Sequence, residues 1–407
     1  MKNKIKIIGL LYMILLLSAC GNNLKKETDF QEIPFEEGSN AVLPHLTSYA
    51  GQLYLSWVDT VSNSNPSLRY SKLRNGKWQP QVLLASGKNW FVNWADYPII
   101  AMHKGKILSH YLQLSTTGKM AYDIKFNVSD HQGSTHYKLL HSDHTATEHG
   151  FVSMIPYRDS SFLVTWLDGR NMVNDAHAHG HHSGTMSVRV AEVTAQGEIK
   201  DETIVDDSAC TCCQTTTSLT ANGPVVLYRD CTSDNIRDIV IVRKLGNGWT
   251  KPVPIHADNW FIQGCPVNGP KSAAIGNTLA VAWFTASDET PRVQLVFSGN
   301  GGEQFMDPIL ISNKGVLGRV DVALVDTDQA IVSWMQTEGD LTYLYAMLVN
   351  KDGTTGPLRK VTQLSSSRKS GFPQMELVGD QVYFAWVELQ NNVTKLRTVS
   401  KPINQFK

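Results

Sequence analysis

Neither sign of charge predominates in this 407-residue chain, in which Lys and Arg together number 37 and Asp and Glu together number 37. That removes the basic excess on which nucleic-acid binding relies. Beyond residue 20 no run approaches the ~18 apolar residues of a membrane-spanning helix, and no stretch repeats its apolar residues with helical period. A helical core is thereby excluded. Cysteine is scarce, six residues in all, and five of the six fall between positions 210 and 265. A disulfide framework would be spread along the chain, so this clustering reads as a site.

What is present begins with an export signal. Lys2, Lys4 and Lys6 precede an apolar run from Ile7 to Leu17, which is too short to span a bilayer as a mature helix. The ending Leu17-Ser18-Ala19-Cys20 resembles the lipobox of bacterial lipoproteins, which implies lipid on Cys20. The expected organisation is a signal peptide over 1–19, a lipidated polar linker over 20–29 and one folded unit over 30–407. The expected location is the bacterial cell envelope, at the outer membrane in a Gram-negative host. Without the three signal lysines, 34 basic residues face 37 acidic ones, a net charge of −3.

An apolar run that usually ends in tryptophan recurs seven times. It begins at Leu53, Ile107, Phe162, Val225, Leu279, Ala330 and Val382, at intervals of 54, 55, 63, 54, 51 and 52 residues. Such a period, with several short strands in each unit, predicts an all-β single β-propeller of four-stranded blades, seven in number, or six if the weakly patterned second unit is irregular. In the sixth unit the four strands are expected over 320–325, 330–335, 343–348 and 358–362. The seventh unit lacks a fourth strand, and the strand-like residues 30–35 precede the first. They are expected to close the ring, because an open sheet edge is a liability.

The turn Ser298-Gly299-Asn300-Gly301-Gly302-Glu303-Gln304-Phe305 resembles the Asp-box of sialidases, with Asn in place of Asp, and Ser129 to Gly133 is a more degenerate echo. The chain is therefore similar to the sialidase-like, or BNR-repeat, propellers from about residue 40 to 400. The resemblance implies the fold; hydrolysis needs its own residues. The sialidase Phe-Arg-Ile-Pro motif is replaced here by Ala41-Val42-Leu43-Pro44, and no Tyr and Glu pair can be assigned, so no catalytic residue is carried over.

In a propeller the D-to-A connections and the B-to-C hairpins emerge on one face. Here these are residues 89–98, 141–150, 206–214, 258–270 and 315–319, and 168–184, 230–235 and 286–291. They hold every unusual residue. Arg170, Arg229 and Arg319, accompanied by Asp168, Asp230 and Asp321, suit a carboxylate or other anion. Trp90 and Trp260, in Asn-Trp-Phe loops that echo each other, suit a sugar ring or else plug the channel mouth. Cys210, Cys212, Cys213, Cys231 and Cys265 read in two ways. One is disulfides, with vicinal Cys212 and Cys213 divided between Cys231 and Cys265 and Cys210 left free. The other is a site for copper or zinc, with His177, His179, His181 and His182 beside it and His141, His144 and His149 on the adjoining loop. The expected function is binding of a small ligand, a glycan or other anion with possible metal assistance, by a monomer. Sialidase-type hydrolysis and copper or zinc handling are the alternatives.

Overall fold

The computed structural model describes residues 29–35, 40–61, 65–115, 120–130, 136–172, 186–390 and 393–407. They form seven antiparallel sheets. In each, strand A is followed by a hairpin to B, a second hairpin to C and a return to D. The seven A strands are Ala41–Tyr49, Ile100–His103, His149–Tyr157, Thr216–Thr220, Lys271–Ile275, Val316–Leu324 and Gln374–Val378. Each touches the A strand of the next blade, and the seventh touches the first. The ring is closed.

The B strands are apolar on both faces because each blade is packed between two others. Ser161–Asp168 and Thr278–Thr285 are buried at every residue. The recurring tryptophans Trp57, Trp166, Trp283 and Trp334 are at most 1% exposed. Replacing one by alanine would cost about 3–5 kcal/mol in transfer and cavity terms. Thus the sequence period and the packing period coincide. Blade 2, with strands Ile100–His103, Lys106–Leu114, Tyr122–Ser129 and Lys138–Leu139, is regular, so the count is seven. Blade 6 has its strands at Val316–Leu324, Gln329–Glu338, Leu341–Asn350 and Arg359–Leu364, each overlapping the segment expected from sequence.

The N-terminal segment supplies strand D of blade 7, where Gln31 pairs with Ser400 and Glu32 with Val399. Phe30 meets Phe384 and Phe406 edge-on, at 5.7 and 6.2 Å, and Lys401 Nζ donates to the Asp29 carbonyl at 2.8 Å. In the Asp-box turn, Asn300 does the work expected of aspartate: its Oδ1 accepts from Ser298 Oγ at 2.9 Å and from Gln304 N at 3.0 Å. Gly302, at φ 79°, has no room for a Cβ, which would lie 2.4 Å from Ile241 Cδ1. The signal, Cys20 and the loop carrying His177, His179, His181 and His182 lie outside the described residues.

Candidate functional site

Strand D of blade 3, Ile199–Ala209, delivers the chain to the face where the D-to-A connections emerge. Cys210 N donates to Arg229 O at 2.9 Å, which pins the start of the loop to blade 4. Residues 211–213 then turn instead of extending. The turn folds three thiols inward: Cys210 Sγ lies 3.9 Å from Cys212 Sγ and 3.6 Å from Cys213 Sγ. Cys210 and Cys213 are buried, and exposed Cys265 approaches from the next D-to-A loop, with its Sγ 3.5 Å from Thr211 Oγ1. Among the described residues all five cysteines are free. The disulfide pairing considered from sequence assumed that vicinal Cys212 and Cys213 diverge along an extended chain, and the turn removes that premise.

Electrostatics favours thiolates at Cys210 and Cys265, with Cys212 donating to both. Hydrogen bonds from Cys212 and Cys213 hold the Cys210 thiol well below its ordinary range, and the Arg237 guanidinium assists, donating from Nη1 to Cys210 Sγ at 3.1 Å. The Cys212 thiol, which donates, is pushed up by the same bonds. Contact with Cys212 brings Cys265 down to about 6. Cys231 lies apart on the hairpin of blade 4, with its thiol raised by burial.

The arginines are arranged otherwise. Arg229 is 1% exposed, and its guanidinium donates to Asn268 O at 3.1 and 2.8 Å, Arg237 O at 2.6 Å and Phe284 O at 2.7 Å. It lies 4.8 Å above the buried Trp260 ring. Arg319 donates to Gly371 O at 2.7 Å and stacks on Trp94 at 4.9 Å; burial lowers it to about 10. Arg170 grips Asp168 with two bonds of 2.7 Å. Asp321 accepts from Val322 N and Met375 N, and Asp230 accepts from Cys231 N at 2.7 Å while burial pushes it up to about 6. These six residues anchor loops to blades instead of converging on one open point.

Two further features share this face or the channel behind it. A cleft of about 1280 Å³ is lined by Trp90, Phe91, Val92 and Trp94, with Lys88 and Lys369 among its polar groups. Trp90 is largely covered, stacked on Tyr111 at 4.2 Å; Trp94, four residues later and passed over in the sequence, is more open. Between the inner strands, His45, Asp96, Gln214 and Lys271 line a cavity of about 140 Å³. Burial pushes Asp96 up to about 7 there, and Glu376 in the adjoining channel up to about 8. No sequence signal marks these channel groups, because the inner strands, such as Ile100–His103 and Thr216–Thr220, mix polar and apolar residues with no fixed period. His141 and His149 are buried and stacked at 3.7 Å, whereas His144 is exposed.

No protein-family model and no curated protein matches the chain. Solved structures do. An ulvan lyase of polysaccharide lyase family PL25, bound to -[GlcA(1-4)Rha3S]-, is 11% identical over 91% of this chain and 97% of its own, with a TM-score of 0.56. The α-L-arabinofuranosidase Arb93A from Fusarium graminearum is 10% identical over 93% and 97%, with a TM-score of 0.51. A mutant NanB sialidase from Streptococcus pneumoniae is 12% identical over 93% and 71%, at 0.48. The likeness at these identities is one of fold: a seven-bladed propeller shared with carbohydrate-active enzymes.

Proposed function

We propose that this protein is an exported, lipid-anchored propeller that binds a soft or borderline metal ion, Cu⁺ or Zn²⁺, through Cys210, Cys212 and Cys213, with Cys265 beside Cys212 at the solvent side. One observation carries this reading: the Sγ separations of 3.6 and 3.9 Å. Thiolates about 2.3 Å from a tetrahedral metal stand about 3.8 Å apart, whereas a disulfide brings its sulfurs to about 2.05 Å. Thiolate ligands select Cu⁺ and Zn²⁺ over hard cations. Arg237 offsets part of the negative charge that several thiolates bring, and the burial of Cys210 and Cys213 protects them from exchange.

The test is elemental analysis of the purified mature chain together with a free-thiol count. One thiol-dependent equivalent of copper or zinc is expected, lost when Cys210 and Cys213 are both changed to serine. Metal-free protein with two or four of its thiols oxidised would restore the disulfide reading. Anchoring is tested separately: Cys20→Ser should release a folded protein from membranes, and retention after a salt wash would remove the lipid from the proposal.

A second reading, binding of an anionic glycan, is favoured by the cleft of Trp94, Phe91, Lys88 and Lys369, which pairs aromatic faces with cations, on a fold shared with enzymes of carbohydrate chemistry. The arginines of the sequence reading contribute to it only by holding the loops. Hydrolysis of a fluorogenic sialoside is not expected, and clear turnover would put the enzyme reading first.

A further inference from the structure

His149 opens strand A of blade 3 and Asp168 closes strand B, paired in register across the hairpin. His141 arrives from the preceding D-to-A loop and lays its ring on that of His149, 3.7 Å away and within 6° of parallel. Both imidazole side chains are at most 2% exposed. Their protons are accounted for. His149 Nδ1 is 3.3 Å from the Tyr122 carbonyl, which only accepts, so this nitrogen carries the hydrogen. His141 Nδ1 likewise faces Asp143 Oδ1 at 2.7 Å.

In the neutral rings the remaining nitrogens present lone pairs, and neither has a hydrogen-bond partner. His149 Nε2 is aimed at two more acceptors, Asp143 Oδ2 at 3.2 Å and Asp168 Oδ1 at 3.8 Å. Asp143 Oδ2 also accepts from Thr145, and Asp168 Oδ1 from Arg170, but neither has a donor in His149 Nε2, and a buried lone pair facing two carboxylate oxygens is disfavoured unless a positive centre sits between them. A zinc ion held about 2.1 Å from N and O ligands would set them about 3.0–3.4 Å apart; the 3.2 Å separation from Asp143 matches, and Asp168, at 3.8 Å, would have to draw in. Charge points the same way. Asp123, Asp143, Asp168 and Glu202 surround the stack, and among the described residues Arg170 and Arg189 are the cations in ion-pair range of them. With neutral imidazoles the cluster is short of two positive charges.

We propose that His149, Asp143 and Asp168 form a second metal site, for a borderline divalent cation such as Zn²⁺, chemically distinct from the thiol cluster and independent of it. His141 orients the set by stacking on His149 and by its bond to Asp143. Its donors are imidazole and carboxylate, so it selects M²⁺ where the thiols select a softer ion.

Zinc titration of the mature chain with Cys210, Cys212 and Cys213 all changed to serine separates the two sites. One thiol-independent equivalent is expected, weakened at least tenfold by His149→Gln, and by Asp143→Asn should the first variant not fold. It is expected to survive replacement of His177, His179, His181 and His182 by serine. The site is overturned if no thiol-independent zinc binds, if His149→Gln and Asp143→Asn bind as well as the parent, or if the four-serine loop variant loses the equivalent. Failure here leaves the thiol site standing, and loss of metal from the thiols leaves this one standing.

Discussion

The loops that lead into blades 2 and 5 begin with nearly the same words, Asn89-Trp90-Phe91-Val92-Asn93 and Asn259-Trp260-Phe261-Ile262-Gln263, and they share a local shape. Both asparagines adopt left-handed backbone, φ 61° and 52°, and both tryptophans are buried. Their neighbours differ. Trp90 stacks on Tyr111 and Phe91 on Tyr122, aromatics of the blade the loop enters, so this loop floors a cleft. Trp260 instead lies under Arg229 of the preceding blade, and its carbonyl accepts from Arg237 N at 2.9 Å. The Arg237 side chain then continues to Cys210. A short motif sets a turn; the residue against which its tryptophan packs decides what the turn serves.

The strongest test of this difference is Arg229→Ala, which strands three main-chain carbonyls in a buried place and uncovers Trp260. A loss on the order of 3–5 kcal/mol is expected, read by denaturant unfolding; a change below about 1 kcal/mol would mean that the second loop is not held as described. Next come the tryptophans. Trp90→Ala and Trp260→Ala should each cost about 3 kcal/mol or more, yet only Trp260→Ala should also weaken metal retention by the thiols. Equal metal content in the two variants, measured at a temperature where both are folded, breaks the comparison.

The channel beside these loops supplies a pH signature. Asp96 holds its proton to about 7 in the folded chain, against an ordinary value of 3.8, because it is buried. Between those values the folded state carries more protons than the unfolded one, so this group makes stability fall as pH rises from about 4 to about 7 and then level off. Asp96→Asn should therefore gain on the order of 2–4 kcal/mol at pH 8 and nothing near pH 4. A gain independent of pH would point to packing instead. A smaller effect is expected from Arg237→Ala, which removes the cation beside Cys210: in metal-free protein the ultraviolet absorbance of its thiolate should titrate at higher pH, and an unchanged profile would place its activation in the neighbouring thiols alone. The smallest is Phe261→Ser. Its ring is 58% exposed, so melting should move by less than about 0.5 kcal/mol, whereas Phe91→Ser, behind Tyr122, should cost more.

Much of the architecture was legible in the chain because a propeller repeats one burial pattern. Every B strand must be apolar on both faces, so Trp57, Trp166, Trp283 and Trp334 announce the period, and the missing fourth strand of the last unit announces the closure at Gln31–Glu32. The site was legible only as a neighbourhood. Loop topology brings Cys210, Cys212, Cys213 and Cys265 together, as their spacing among D-to-A connections implied. The same topology also carries Arg229 and Arg319 to that face, but it does not say which way they point. Both turn inward to main-chain carbonyls and aromatic rings.

The sequence by itself determined the blade repeat, the order of strands, the closing segment and the set of loops that share a face, because these follow from local periodicity and from the need to pair every sheet edge; the choice of seven blades over six waited on the regularity of blade 2. Only the tertiary structure decided that residues 211–213 turn so that thiols meet, that the arginines are consumed as anchors, and that His149 faces Asp143 and Asp168. Those outcomes depend on side-chain direction and on partners far away in sequence, where a few ångströms separate a bond from a solvated group.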